Sequence, residues 1–269
     1  MLEVEFGEAT NPGAVRTNNE DCSGYYEPKS RQEARSRGWL FVLADGVGGS
    51  DFGEIASAKA VEVLCGGFAE APENTSLLSL LPRLIQHANA AVHDEGLARE
   101  RRGRQMATTI VACALRHDQA IVGHAGDSRC YHIRSGQACA VTRDHTWANE
   151  QRKLGLISPS EAGATETRHM LTRSLGPELF VTSDTNTISL RAGDRLVLCS
   201  DGLYNGLADD DIAEIASQNK NPDQVARDLV NTAVEVDGSD NASAVVIAVR
   251  SVEAMAMYRG RLYPRPGTG

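Results

Sequence analysis

Nine runs rich in Val, Ile and Leu punctuate this chain, at Val4–Thr10, Trp39–Ala44, Thr108–Leu115, Gln119–Ala125, Arg129–Arg134, Ala138–Thr142, Phe180–Leu190, Arg195–Ser200 and Ala242–Arg250. Turn residues separate them, so they read as strands. Few folds accommodate so much sheet. Ile121–Val141 reads as a meander, because Arg134-Ser-Gly-Gln137 is a hairpin turn between two apolar runs, and sequential hairpins pair antiparallel. Helical periodicity is expected at about Phe52–Phe68, Leu77–Arg101, Asp209–Ala216 and Asp223–Val236. The third opens on Asp209, Asp210 and Asp211, acids that suit the positive end of a helix. Ser158-Pro-Ser-Glu161 is a capping box with Pro at the first helical position, which predicts a short helix. It lies in Asp144–Gly176, a polar stretch without strand character that reads as an excursion from the core. Meanders with helix pairs between groups of strands predict two packed sheets covered by helices, not an alternating parallel domain.

The chain has 269 residues, which fits one large domain. Its 36 acids against 27 Lys and Arg give a net charge of −9, which argues against a broad nucleic-acid-binding face. No apolar run approaches the ~20 residues of a membrane-spanning helix. The N-terminus MLEVEFGEAT lacks the basic and apolar regions of a secretory signal, so a cytoplasmic protein is expected. The six cysteines offer no C-x-x-C pair, and most sit in apolar surroundings that suit reduced thiols. None is followed six residues on by Arg, which excludes the loop of cysteine-nucleophile phosphatases. The last residues, 251–269, are rich in Arg, Gly and Pro and read as a flexible tail or linker.

Three of the apolar runs feed directly into an acid: Trp39–Ala44 into Asp45, Gln119–Gly126 into Asp127, and Arg195–Ser200 into Asp201. Asp240-Asn241 immediately precedes a fourth. One such Asp is ordinarily a turn residue. Four at the mouths of buried strands, if they converge, cannot all stay ionised unless something neutralises them. No Lys or Arg lies within two residues of Asp45 or Asp240, although Arg129 follows Asp127 by two. A bound cation is the economical solution, and oxygen ligands suit Mg²⁺ or Mn²⁺, whereas zinc would want Cys or His spacing that is missing. Gly46 lets its carbonyl approach such an ion. Asp45 could bridge two ions, with a water between them acidified into a nucleophile. In Arg16-Thr-Asn-Asn-Glu20-Asp21 the acids could extend the metal shell and Arg16 could hold a phosphate, although alone this segment reads as a polar loop.

In order, the chain carries Arg16-x-x-Asn19-Glu20-Asp21, Ala44-Asp45-Gly46-Val47-Gly48-Gly49, Gly53-Glu54-x-Ala56-Ser57, Met106-Ala-Thr-Thr109, Gly123-His-Ala-Gly-Asp127-Ser-Arg129, Thr142-x-Asp144-His145, Leu171-Thr-Arg-Ser-Leu-Gly176, Ser200-Asp201-Gly202 and Asp240-Asn241. Together these resemble the metal-dependent Ser/Thr protein phosphatases of the PPM family, also called type 2C, in their compact bacterial form. The resemblance runs from about Phe6 to Val249. It implies an α+β fold, a four-layer αββα sandwich of two mainly antiparallel sheets flanked by helices, spanning residues 1–250 with a small flap subdomain at about 144–176. It also implies a centre of two Mn²⁺ or Mg²⁺ ions. Asp45 would bridge them, Gly46 would bind through its carbonyl, Asp201 and Asp240 would complete the first metal, and Glu20 would act at the second through water. Asp21 and Asn241 would support these ligands, Asp127 with Asp201 would form a third metal site, and Arg16 would bind the substrate phosphate.

The implied activity is hydrolysis of phosphoserine and phosphothreonine on proteins by direct attack of a metal-bridging hydroxide, without a phosphoenzyme, by a monomer opposing a bacterial Ser/Thr kinase and acting on its targets. Val47 stands where some members carry a His proposed as general acid, so the leaving alkoxide would take its proton from a metal-bound water or another group; His124, His145 and His169 are candidates by residue type, each with a structural role as the alternative. Ala107 stands where Gly is usual before the Thr pair. Two other function classes compete. A nucleotide-binding module is disfavoured because Gly46-Val-Gly-Gly-Ser-Asp51 lacks the final Gly of the dinucleotide fingerprint and no P-loop is present. A non-catalytic interaction protein on the same fold is disfavoured because every expected metal-binding acid is present. Two basic clusters, Lys29–Arg37 and Arg99–Arg104, read as solvated segments or docking sites for an acidic partner.

Overall fold

The computed structural model describes residues 1–47, 52–99, 106–158, 161, 166–253, 255–258 and 261–264. Gly48 and Gly49 of the glycine-rich turn, Arg101–Arg104 of the second basic cluster, and Pro159 and Ser160 of the capping box lie outside the described residues. In chain order the elements are β1 (Glu3–Asn11), β2 (Asp21–Tyr26), α1 (Arg31–Ser36), β3 (Trp39–Asp45), α2 (Gly53–Glu70), α3 (Leu77–Arg99), β4 (Ile110–Arg116), β5 (Gln119–Ala125), β6 (Arg129–Arg134) and β7 (Gln137–Ala140). There follow α4 (Trp147–Lys153), a 3₁₀ turn (Glu166–His169), β8 (Asp184–Ser189), β9 (Arg195–Cys199), α5 (Asp201–Gly206), α6 (Asp209–Ser217), α7 (Pro222–Val236), β10 (Ala242–Ser251), β11 (Met255–Tyr258) and β12 (Arg261–Pro264).

Two five-stranded sheets form, in the orders β1-β10-β9-β6-β7 and β2-β3-β4-β5-β8. Every pairing within them is antiparallel. Side chains alternate between the faces of a strand, and that alternation sorts the core into three layers. Trp39, Phe41 and Leu43 of β3 meet Val245, Ile247 and Val249 of β10 between the sheets. Leu40, Val42 and Ala44 point the other way, against Leu64 and Phe68 of α2 and Leu81 and Ile85 of α3. Ala242, Ala244 and Val246 of β10 pack on Leu203 of α5, Ile212 of α6 and Leu229 of α7. The central strands therefore read as continuous apolar runs because both their faces are covered. This is the αββα sandwich the sequence implies.

The hairpin turn between β6 and β7 places Ser135 and Gly136 in the left-handed region, φ 54° and 77°, as a two-residue primed turn requires. Two boundaries differ from the sequence reading. The run at Phe180 joins the sheet only at Asp184. The carbonyls of Glu178 and Leu179 instead accept from Asn89, Gln86 also donates to Leu179, and the Val181 amide donates to Gln86. Side chains of α3 thus replace a strand partner. The tail, which reads as flexible, contains an antiparallel two-stranded ribbon, β11 with β12, separate from both sheets. Its strands, Met-Ala-Met-Tyr and Arg-Leu-Tyr-Pro, each carry a Tyr, a residue type that favours strands. Ser158 and Glu161 do form the capping box, the Ser158 amide donating to Glu161 at 2.7 Å and the Glu161 amide to Ser158 at 3.3 Å.

Candidate active site

The acids that end the central strands lie at one end of the sandwich. Asp45, the last residue of β3, stands opposite Asp21, the first of β2. Asp201 opens α5 directly after β9, and Asp240 precedes β10. Arg16, Glu20, Asp45, Gly46, Asp127, Asp201 and Asp240 all line one cleft of about 330 Å³. Asp237 and His169 line it as well. Sequence reasoning misses Asp237, which follows α7 and ends no apolar run. It offers His169 only by residue type, because nothing in the spacing of a 3₁₀ turn aims that ring at the acids. In space its Nδ1 is 3.5 Å from Asp201 Oδ2, and ligand atoms of Asp127, His169 and Asp201 lie within 4.8 Å of one another.

The neighbouring motifs fix these groups. Thr109 holds Asp45 on both sides of its backbone: its hydroxyl accepts from the Asp45 amide at 3.0 Å and its own amide donates to the Asp45 carbonyl at 2.8 Å. The Thr108 hydroxyl donates to the same carbonyl at 2.8 Å. Gly46 donates to the Glu20 carbonyl, which also accepts from the Ser57 hydroxyl at 2.6 Å, tying the N-terminal segment to α2. Asn241 accepts from the Glu20 amide at 2.8 Å and donates to the carbonyls of Pro12 and Asn18, bracing the segment from below. Asp21 accepts from the Ser200 hydroxyl at 2.7 Å, while its other oxygen is buried without a partner among the described residues. Both residues expected as supports therefore stand beneath the cleft, in contact with the segments that line it.

Arg16 donates to Asp240 at 2.7 Å, a cation that sequence distance does not place beside that acid. Arg129, two residues from Asp127, turns away instead, forming a two-bond pair with Asp144 at 2.9 and 2.7 Å and stacking 3.6 Å over the Tyr204 ring. His124 and His145 lie elsewhere, buried and stacked 4.7 Å apart at the base of the 144–176 excursion.

Burial, then the charges of Asp21, Asp201, Asp127 and Asp240, pushes the Asp45 carboxyl well above its ordinary range. Burial, outweighing hydrogen bonds from Ser243 and Ser200, pushes Asp21 up to about 7. Burial and then Asp201 do the same to Asp127, also to about 7. Burial and Glu54 raise Glu20. Without a cation this cluster retains protons near neutrality. The surplus of carboxylate oxygens, with the unpartnered Asp21 oxygen beneath them, fits a hard divalent ion, which takes oxygen donors and cancels the repulsion.

The family description "Protein phosphatase 2C" matches residues 29–233. Protein phosphatase PhpP of Streptococcus pneumoniae is 30% identical over 253 residues, 93% of this chain and 100% of its own. Among solved structures, the serine/threonine phosphatase of S. agalactiae superposes with a TM-score of 0.81 at 33% identity, covering 92% of this chain and 100% of that one. The catalytic domain of PstP in complex with two manganese ions does so with a TM-score of 0.77 at 31% identity, covering 93% and 100%. The chain belongs to the protein phosphatase 2C family. It is an enzyme, a protein phosphatase of that type.

Proposed function

We propose that the acidic cleft is the catalytic centre for metal-dependent hydrolysis of phosphoserine and phosphothreonine on proteins. The convergence of Glu20, Asp45, Asp127, Asp201 and Asp240 from separate elements into one cleft carries this reading. Asp45, the Gly46 carbonyl, Asp201, Asp240 and Glu20, the last through water, are the residues that would hold two Mn²⁺ or Mg²⁺ ions, and Asp127 with Asp201 would hold a third. Such ions supply a nucleophile from water at neutral pH and offset charge on the transferred phosphoryl group. PstP with its two manganese ions supports the count of two.

The chain's own residues do the rest. Arg16 sits at the rim with its guanidinium already aligned on Asp240, and a phosphate entering the cleft meets its remaining N–H donors. Thr108 and Thr109 keep Asp45 in place from the backbone side. His169 is the imidazole that lines the cleft among the described residues, and it takes the role of proton donor to the leaving alkoxide. His124 and His145 are excluded from that role because they are buried under the excursion. The substrates are phosphoproteins, the targets of a Ser/Thr kinase that the enzyme opposes in the cytoplasm as a monomer. No described helix is long and apolar enough to cross a membrane.

The test is hydrolysis of a phosphothreonine peptide and of para-nitrophenyl phosphate with Mn²⁺. Both should proceed with Mn²⁺, stop in EDTA and return when Mn²⁺ is restored. Rapid-quench kinetics should contain no burst. Metal-independent turnover, or a trapped phosphoryl-enzyme, would overturn the reading. Arg16→Ala should retain metal while kcat/KM falls about 10- to 100-fold, mainly through KM.

A further inference from the structure

Beside the catalytic cleft lies a larger groove of about 550 Å³, a size that ordinarily accommodates a ligand. The two hollows share His169 and Asn205, so the groove begins one side chain away from the Asp127–Asp201 pair. The phosphoryl group of a protein substrate needs only the smaller hollow. A polypeptide leaving the cleft on the His169 and Asn205 side enters the larger one.

The charges of the two hollows differ in sign. In the groove, Arg129 and Asp144 neutralise each other through two hydrogen bonds. Arg129 also donates to the Tyr131 hydroxyl at 2.8 Å, and that hydroxyl donates to Asp209 at 2.9 Å, so these charges form one closed network. Arg143 and Arg152 remain. Both line the groove, both are exposed, and among the described residues neither has an acidic partner. Arg152 donates only to the Asn149 side chain, at 2.7 Å. Arg143 immediately precedes the excursion and Arg152 lies in the last turn of its helix α4. The Tyr204 ring also lines the groove, held by Arg129 over its face and by its hydroxyl, which donates to the Asp127 carbonyl at 3.1 Å. Against the single net negative charge that Asp209 leaves in that network, two guanidinium groups without acidic partners keep the groove positive, and such groups recognise anions by charge-assisted hydrogen bonds.

We propose that this groove is an anion subsite for the substrate polypeptide, in which Arg143 and Arg152 hold a carboxylate or a second phosphoryl group flanking the scissile phosphoresidue. This rests on the cleft being the phosphatase centre. The enzyme then prefers phosphoproteins with an acidic or multiply phosphorylated flank on one side, although its own net charge of −9 would repel such substrates at long range. The preference is local, set by two residues.

The experiment compares kcat/KM for phosphothreonine peptides in the Mn²⁺-loaded enzyme. One peptide has neutral flanks, a series carries a single Glu moved through the positions on each side, and a third set carries a non-hydrolysable phosphonate in place of Glu. Wild type should favour Glu on one side only, by about 3- to 10-fold over the neutral peptide, and the advantage should shrink as salt rises. A larger gain from the phosphonate identifies the second phosphoryl group as the occupant, and an equal gain identifies the carboxylate. In Arg143→Ala/Arg152→Ala the acidic-to-neutral ratio should fall to about one, and Arg143→Lys/Arg152→Lys should restore part of it. A purely structural role would change both peptides together and leave the ratio intact. A wild-type ratio near one, or an unchanged ratio in the double Ala variant, overturns the subsite. Wild-type hydrolysis of para-nitrophenyl phosphate, which is too small to span both hollows, separates the failures. If it proceeds while the ratio is flat, only the subsite falls; if no substrate is turned over, the catalytic assignment falls first.

Discussion

At the residue scale, two of the cleft acids are each followed by a glycine, in Asp45-Gly46 and Asp201-Gly202. Gly46 reads from the sequence as a residue that lets its carbonyl approach an ion. In the structure a Cβ at Gly46 would run into the backbone of Gly53 at the start of α2, and one at Gly202 would run into the carbonyl of Asn241. Both glycines therefore let a second backbone segment press against the residue that follows a cleft acid. Gly46→Ala should cost about 1–3 kcal/mol by overpacking and should weaken Mn²⁺ binding as Asp45 shifts, checked by denaturant titration and calorimetry; unchanged stability would show that α2 yields freely. Asp45 itself trades stability for function. Its carboxyl, like those of Asp21 and Asp127, has a folded pKa above the unfolded value of 3.8. The folded state binds these protons more tightly, so their contribution is present below about pH 4 and is lost as pH rises toward 7. In EDTA, Asp45→Asn should accordingly melt higher than wild type near pH 7.5, at ~2–4 °C per kcal/mol relieved, with the gap closing toward pH 4. The same variant should lose Mn²⁺-induced stabilisation and turnover by about 10³-fold or more. A gap that widened on acidification would reject the account.

Elements are legible in the sequence in proportion to how much apolar surface they bury. β3, β4, β9 and β10 are covered on both faces and read plainly as unbroken apolar runs. α1 and α5 have six residues each and α4 has seven, too few turns for a 3.6-residue period to register, so periodicity does not reveal them. α4 does carry one signal, the Thr146 hydroxyl accepting from the Asn149 amide as an N-cap. The acids at the strand mouths are legible because a strand fixes the end from which its last residue projects. Arg16 on Asp240 and His169 near Asp201 are not, since loops carry them across more than thirty residues of sequence. The excursion's base also joins distant segments. His145 Nδ1 accepts from the Gly126 amide at 3.2 Å, its Nε2 faces Asp184 at 3.3 Å, and Arg173 donates to the same carboxylate at 2.8 Å. This clamp sits one residue from Asp127. His145→Phe leaves the buried Gly126 N–H unpaired and should cost about 1–3 kcal/mol, seen as a lower melting temperature. Burial lowers the pKa of His145 and of His124. The folded state therefore favours neutral rings, and wild-type stability from them is lost as pH falls below about 6.5. His145→Phe should flatten that acid limb, and an undiminished limb would move its origin elsewhere.

At the scale of the whole molecule, the end of the folded unit is set by the last strand that other strands enclose. β10 is an inner strand, hydrogen-bonded to β1 on one side and β9 on the other, and its last residue is Ser251. Val249 sits between the sheets, and Ser251 donates to the Met1 carbonyl at 2.7 Å. Two residues further on, Glu253 accepts two hydrogen bonds from Arg35 of α1 and lies 3.7 Å from His117, so the chain stays attached to the body just past the strand. Beyond it, β11 and β12 pair only with each other, and a two-stranded ribbon is at best marginally stable alone. We therefore expect the boundary to fall after Glu253, slightly beyond the Arg250 inferred from sequence. A chain ending at residue 253 should keep the melting temperature of the full chain to within about 2 °C, because the described strands it loses pair only with each other. One ending at residue 250 gives up the Arg35 pair, the Ser251 bond and Val252, which packs against the core between the sheets, contacts worth about 2–3 kcal/mol together, and should melt lower by roughly 4–10 °C. One ending at residue 246 removes half of an inner strand and should not fold. Thermal melts of the three truncations, each with and without Mn²⁺, test the order. If the 253-residue chain melts far below the full one, the ribbon packs on the sandwich and belongs to the domain.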